Sequence, residues 1–168
     1  MLVAILIVGV LLYVVTRSYS AILPGDSIRS RMYVNRVLIF SSVVLLIQIL
    51  LGTQVREEVD EVAHRLGEAG RGQWADELGI KFSIHRSFSW VVVLTQLLWY
   101  WRFRQEQKGG ILALLGKWVI GLTAVQILTG ITLANFGMPA IAQPIHLTIA
   151  IVALGIQFVL ILLINRKV

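Results

Sequence analysis

Long apolar runs, nearly free of charge, decide what this chain can fold into. Five can be read: about 2–15, 37–52, 82–101, 111–134 and 141–164. About 20 apolar residues are needed to cross the hydrocarbon of a bilayer. The last three runs reach that length, and the first is short for a span. The sequence is 57% hydrophobic with a mean hydropathy of +0.81, against roughly 45–50% apolar for a soluble domain. The expected class is therefore an all-α membrane protein with five transmembrane helices. Periodicity helps little inside the runs, because a helix buried in lipid or protein is apolar all round.

The segments between the runs alternate in charge. The first, 16–35, carries Arg17, Arg29 and Arg31, with Arg36 at its end, against Asp26. The second, 53–81, carries seven carboxylates against Arg56, Arg65, Arg71 and Lys81. The third has Arg102, Arg104, Lys108 and Lys117 against Glu106, the fourth (135–143) has none, and the tail is Asn165-Arg166-Lys167. Lys and Arg concentrate in cytoplasmic loops. This predicts an integral protein of a bacterial inner membrane, with 17–36, 102–117 and the C-terminus cytoplasmic and 53–81 and 135–143 outside. The inner side sums to +8 and the outer to −2, which accounts for the net charge of +6. Such a charge with a pI near 10.2 suggests nucleic acid in a soluble protein. Here its placement points to the anionic lipids of the bilayer instead. There is no cysteine, so disulfides, thiolate metal sites and haem attached through Cys are excluded. Met1 leads straight into an apolar run, so no cleavable signal is expected.

Three regions follow: a short first helix at 1–16, a basic loop at 17–36, and a four-helix bundle at 37–165. In the outer segment Val55, Val59, Val62 and Leu66 recur at helical spacing, with Glu57, Glu58, Asp60 and Glu61 on the other face. That predicts an amphipathic helix at 55–66 on the outer surface, ended by Gly67, Gly70 and Gly72, with Trp74 as an interfacial anchor.

An internal repeat links the runs. Gln48-Ile49-Leu50-Leu51-Gly52 closes the second, and Gln126-Ile127-Leu128-Thr129-Gly130 lies near the end of the fourth. Each is followed by a run with a histidine near its start: His85, and His146 in Gln143-Pro144-Ile145-His146-Leu147. Two copies of one helical hairpin predict a pseudo-two-fold bundle. At 1.5 Å per residue the two imidazoles come to nearly the same depth.

Ionisable groups at membrane depth are functional by default. Two imidazoles at one level between facing helices suit the two axial positions of a haem iron. The alternatives are histidines bonded to neighbouring carbonyls, or another metal or a proton relay. His64, in the acidic segment, reads as a surface residue. Gln48 and Gly52 share one helix face, as do Gln126 and Gly130. The glycines admit either a flat macrocycle or a neighbouring helix. Arg56 and Arg86 stand at the height of the histidines, where they either pair with haem propionates or snorkel to headgroups. Pro144 suits the first turn of a helix. No Asp or Glu lies inside a run, so no intramembrane general acid or base is expected.

Taken with Leu51-Gly52-Thr53-Gln54-Val55-Arg56-Glu57 and Ile84-His85-Arg86, these motifs resemble the C-terminal half of haem A synthase, a cytochrome oxidase assembly protein, over roughly 35–165. Each motif is short, and the specificity lies in their order and spacing. That family has two similar four-helix halves, each with a histidine pair. The C-terminal half holds haem b. The N-terminal half oxidises the methyl group of haem O to the formyl of haem A, with a glutamate beside one histidine. The resemblance implies that His85 and His146 are the axial ligands of haem b. It also implies that haem O is the substrate of the complete enzyme. The N-terminal pair and its glutamate have no counterpart here. The expectation is a fragment, a split protein with a companion chain, or a shortened relative, able to bind haem but not to convert haem O alone. Self-association is left open. The alternative function is a non-catalytic bis-histidine membrane cytochrome in electron transfer.

Overall fold

A computed structural model describes residues 2–19 and 31–165. Most of the expected basic loop (20–30) and the Arg166-Lys167 tail lie outside the described residues. Among those described there is no strand. Five α-helices follow in order: α1 (Leu2–Tyr19), α2 (Arg31–Leu66), α3 (Ile80–Glu106), α4 (Gly110–Asn135) and α5 (Ala142–Ile164), with a short 3-10 helix at Glu68–Gln73.

Three of these helices, α2, α4 and α5, are both long and apolar enough to cross a membrane, which marks a membrane protein. The other two expected spans fall short by different measures. α1 is apolar but brief. α3 is long, at 27 residues, but His85, Arg86, Gln96 and Arg102 dilute its apolar side chains. Leu94 and Leu128 are 64% and 63% exposed, as expected of side chains whose solvent is lipid rather than water.

The helix contacts close a ring: α2 on α3, α3 on α4, α4 on α5, and α5 back on α2. The diagonal pairs, α2 with α4 and α3 with α5, make no backbone approach, and α1 packs outside the ring on α5. Buried side chains form three layers along it. Val34, Leu38, Trp99, Phe103, Val119 and Leu160 fill one end. Val44, Leu45, Ile49, Val92, Ala150 and Ala153 fill the middle. Val55, Val59, Val62, Trp74 and Met138 fill the other end.

The outer segment departs from expectation. There is no separate amphipathic helix at 55–66 lying on the surface, because α2 continues through Gly52 and Thr53 without a break. At 36 residues it is about 54 Å long, well beyond the roughly 30 Å of hydrocarbon. The physical reason is local. No proline interrupts 31–66, and Gln54, Arg56, Glu57, Glu58 and Glu61 are good helix formers. The apolar stripe at 55, 59 and 62 is real, but it faces protein. The helix stops at Gly67, whose φ of +66° suits glycine and whose N–H returns to the Ala63 carbonyl at 2.9 Å.

Trp74 is likewise no interfacial anchor. It is 3% exposed, packs in the outer layer, and donates its indole N–H to the Gly67 carbonyl at 3.3 Å. The Arg71 guanidinium lies 4.3 Å from its ring, pairs with Glu68 at 2.6 Å, and donates to the Met138 carbonyl at 2.8 Å. Gln143 donates to the same carbonyl at 3.2 Å. The 67–79 segment is thus tied across to the α4–α5 loop. Trp74→Ala should cost about 3 kcal/mol, as for other buried large-to-small changes, measured by unfolding in detergent. A surface anchor would change stability by no more than about 0.5 kcal/mol.

Candidate functional site

The site grows from two glutamine–glycine faces, each set against a histidine. On α2, Gln48 and Gly52 are one turn apart and point at α3. The Gln48 side-chain amide donates to the His85 carbonyl at 3.0 Å and stands 3.4 Å from His85 Nε2. On α4, Gln126 and Gly130 stand likewise towards α5. The backbone of Gln48 lies beside the imidazole of His85, and that of Gln126 beside the imidazole of His146.

The glycines are needed for space. A Cβ on Gly52 would stand 3.1 Å from His85 Cε1, and one on Gly130 would stand 3.3 Å from His146 Cε1. Both distances are tighter than ordinary van der Waals contact. The repeat read in the sequence therefore has a spatial counterpart: each glycine seats the histidine of the following helix.

His85 is the sixth residue of α3 and His146 the fifth of α5. Both are half-buried. They belong to the diagonal helices. Pro144 falls in the first turn of α5, where its missing N–H costs no helical bond.

The two halves differ at one position. Where α2 has Leu51, α4 has Thr129, and its hydroxyl is 2.8 Å from His146 Nδ1. The same hydroxyl donates to the carbonyls of Val125 and Gln126 at 3.1 and 3.0 Å. The hydroxyl thus has the two carbonyls and the imidazole nitrogen within hydrogen-bond reach, and which of Thr129 and His146 Nδ1 donates follows the tautomer of the imidazole. His85 has no such partner, and its Nδ1 is buried without a hydrogen bond, as are Gln48 Oε1 and Gln126 Oε1.

The remaining expected residues are more peripheral. Arg56 is exposed and pairs with Asp60 at 2.7 Å, one turn along α2. Arg86 is exposed and is not in any ion pair found among the described residues. His64 is exposed, as expected. Among the described residues no three His, Cys, Asp or Glu side chains gather to hold a bare metal ion.

Sequence reasoning missed two features. Thr129 was visible as the one hydroxyl within the repeat. The second is a buried amide pair: Gln157 donates to Gln96 at 2.6 Å, and both are fully buried. Each glutamine lies 11 residues after a histidine, three turns along the same helix face and about 16 Å deeper. The signal was there as a second repeat, His-x10-Gln, in α3 and α5.

A profile of the family described as COX15-CtaA, cytochrome oxidase assembly protein, matches residues 1–158. No curated protein and no solved structure matches the chain.

Gly121→Ala, an exposed mid-helix change with nothing within 4 Å of the new methyl, should raise stability by about 0.5–1 kcal/mol. Gly52→Ala should forfeit that gain, because its methyl meets the imidazole. A difference near 1 kcal/mol between the two variants in detergent unfolding is expected.

Proposed function

The chain belongs to the cytochrome oxidase assembly protein family, and from that premise we propose that it is the haem b-holding half of a haem A synthase. His85 and His146 would hold its iron, Gln48, Gly52, Gln126 and Gly130 would line the seat, and haem O would be the substrate of the complete enzyme. The observation that carries this reading is the pair of imidazoles on diagonal helices, each held against a glycine of the helix before it.

The residues fit the group. A haem asks two side chains of the protein, since its other four iron ligands are its own. The absence of any larger ligand cluster among the described residues is consistent with that demand. α3 and α5 make no backbone approach across the ring, and Gly52 and Gly130 give room to the two imidazoles. Buried atoms without partners, His85 Nδ1 among them, mark polar capacity that the chain alone does not satisfy.

When bound, the haem supplies one-electron transfer. The chain's own residues hold and orient. Thr129, 2.8 Å from His146 Nδ1, would orient that imidazole towards the group it holds. Gln48 anchors the His85 backbone at 3.0 Å and would release the longer 3.4 Å contact to Nε2. Arg56 and Arg86 stand at the same end of the bundle, where guanidinium groups suit propionates. The apolar layers above and below exclude water. No carboxylate shares a helix turn with either histidine, which favours a holding and electron-carrying role over acid–base work.

The test is reconstitution of the purified chain with haem b. A low-spin bis-histidine absorption spectrum is expected. His85→Ala and His146→Ala should each abolish it, while Arg65→Gln leaves it intact. A wild-type chain that takes up no haem would sink the reading. Thr129→Val should keep the low-spin spectrum but weaken haem affinity about tenfold, the scale of lost support to a metal-bound histidine, measured by haem titration.

A further inference from the structure

The end of the bundle away from the histidines carries a groove beside the α3–α4 turn, about 210 Å3 in volume. Three of its lining residues are cations: Arg104, Lys108 and Lys117. Tyr100, Phe103, Gln107 and Ala113 complete its lining. None of the three cations takes part in an ion pair among the described residues. From Gly79 onwards the only carboxylate side chain in the sequence is Glu106, and it does not line the groove.

Lys117 sharpens the problem. It is the eighth residue of α4, about 10 Å along a helix apolar enough to cross a membrane. An ammonium there favours an anionic neighbour, and among the described residues no carboxylate lines the groove.

The level of the groove is marked independently. Tyr33, Trp101 and Trp118 are each about half exposed at this end. Arg102 lies over Tyr33 and Trp101, at 5.7 and 4.5 Å from their ring centroids. Exposed aromatics with arginine on their faces sit at headgroup depth.

We infer that this groove is a headgroup site for an anionic phospholipid. Arg104, Lys108 and Lys117 take the phosphodiester, and Tyr100, Phe103 and Ala113 lie along the glycerol and the first acyl carbons. The volume suits this, since a water claims roughly 30 Å3 and the groove holds several times that. Tyr100, Phe103 and Ala113 beside three cations select an amphiphile over a free anion. The site is independent of the histidine pair and needs only that the helices span a membrane.

The experiment uses the full chain, delipidated in neutral detergent. Binding is followed by native mass spectrometry and by the thermal unfolding midpoint. The probes are phosphatidylglycerol, phosphatidylcholine and inorganic phosphate. Phosphatidylglycerol should bind and raise the midpoint, with little effect from the other two. The triple variant Arg104→Gln, Lys108→Gln, Lys117→Gln should bind phosphatidylglycerol on the order of a hundredfold more weakly. Equal binding of phosphatidylcholine and phosphatidylglycerol by the wild type would overturn the site. An equal response to inorganic phosphate would overturn the lipid assignment. A triple variant that folds and keeps its preference for phosphatidylglycerol would overturn the residue assignment. If that variant fails to fold, the wild-type comparison and Lys108→Gln, on the exposed turn, decide by the same criteria.

Discussion

A polar group placed among apolar helices has no water to fall back on. Much of this molecule can be traced to how it answers that constraint. His85 and His146 stand where lipid-facing or packed side chains belong. Each is accommodated because the preceding helix presents a glycine at the imidazole and a glutamine backbone beside it. Removing either glycine's empty space closes the seat.

The same constraint explains features away from the site. The Gln96–Gln157 bond puts two amides at the centre of the bundle, where one donor and one acceptor are paired, Gln96 Nε2 and Gln157 Oε1 are left without partners, and α3 is tied to α5 across the diagonal. Trp74 turns its indole inward because it finds the Gly67 carbonyl there. Met138, with a φ of +50°, offers its carbonyl to Arg71 and Gln143, so the two loops at the histidine end are held by hydrogen bonds rather than by burial alone. At the opposite end Arg104, Lys108 and Lys117 take part in no ion pair among the described residues.

The two glutamine–glycine faces are alike but not identical. Leu51 and Thr129 occupy equivalent places, so one imidazole gains a hydroxyl and the other does not. In the proposed haem site this makes the two ligands unequal. One is oriented from its ring nitrogen, the other through its backbone carbonyl. A single leucine-to-threonine difference can produce this because in low dielectric one hydrogen bond is not diluted by competition with water.

Hydropathy and charge order made the helical class, the approximate helix positions and the matched histidines legible in the sequence, because each depends only on local composition and on a rise of 1.5 Å per residue. The repeat, too, lies in the letters: Gln-x3-Gly twice, then a histidine. Partners are another matter. The 55–66 stripe shows that one helix face is buried, and periodicity is blind to whether membrane or protein buries it, so the continuous α2 and the inward Trp74 emerged only from packing. Gly52 and Gly130 read equally well as sites for a cofactor or for a helix. Only the fold showed that the space beside each is taken by an imidazole. Thr129 and the amide pair were written in plain view but had no meaning until α3 and α5 lay across one diagonal. Which groups meet depends on contacts far apart in the chain, and those are set when whole helices find their neighbours.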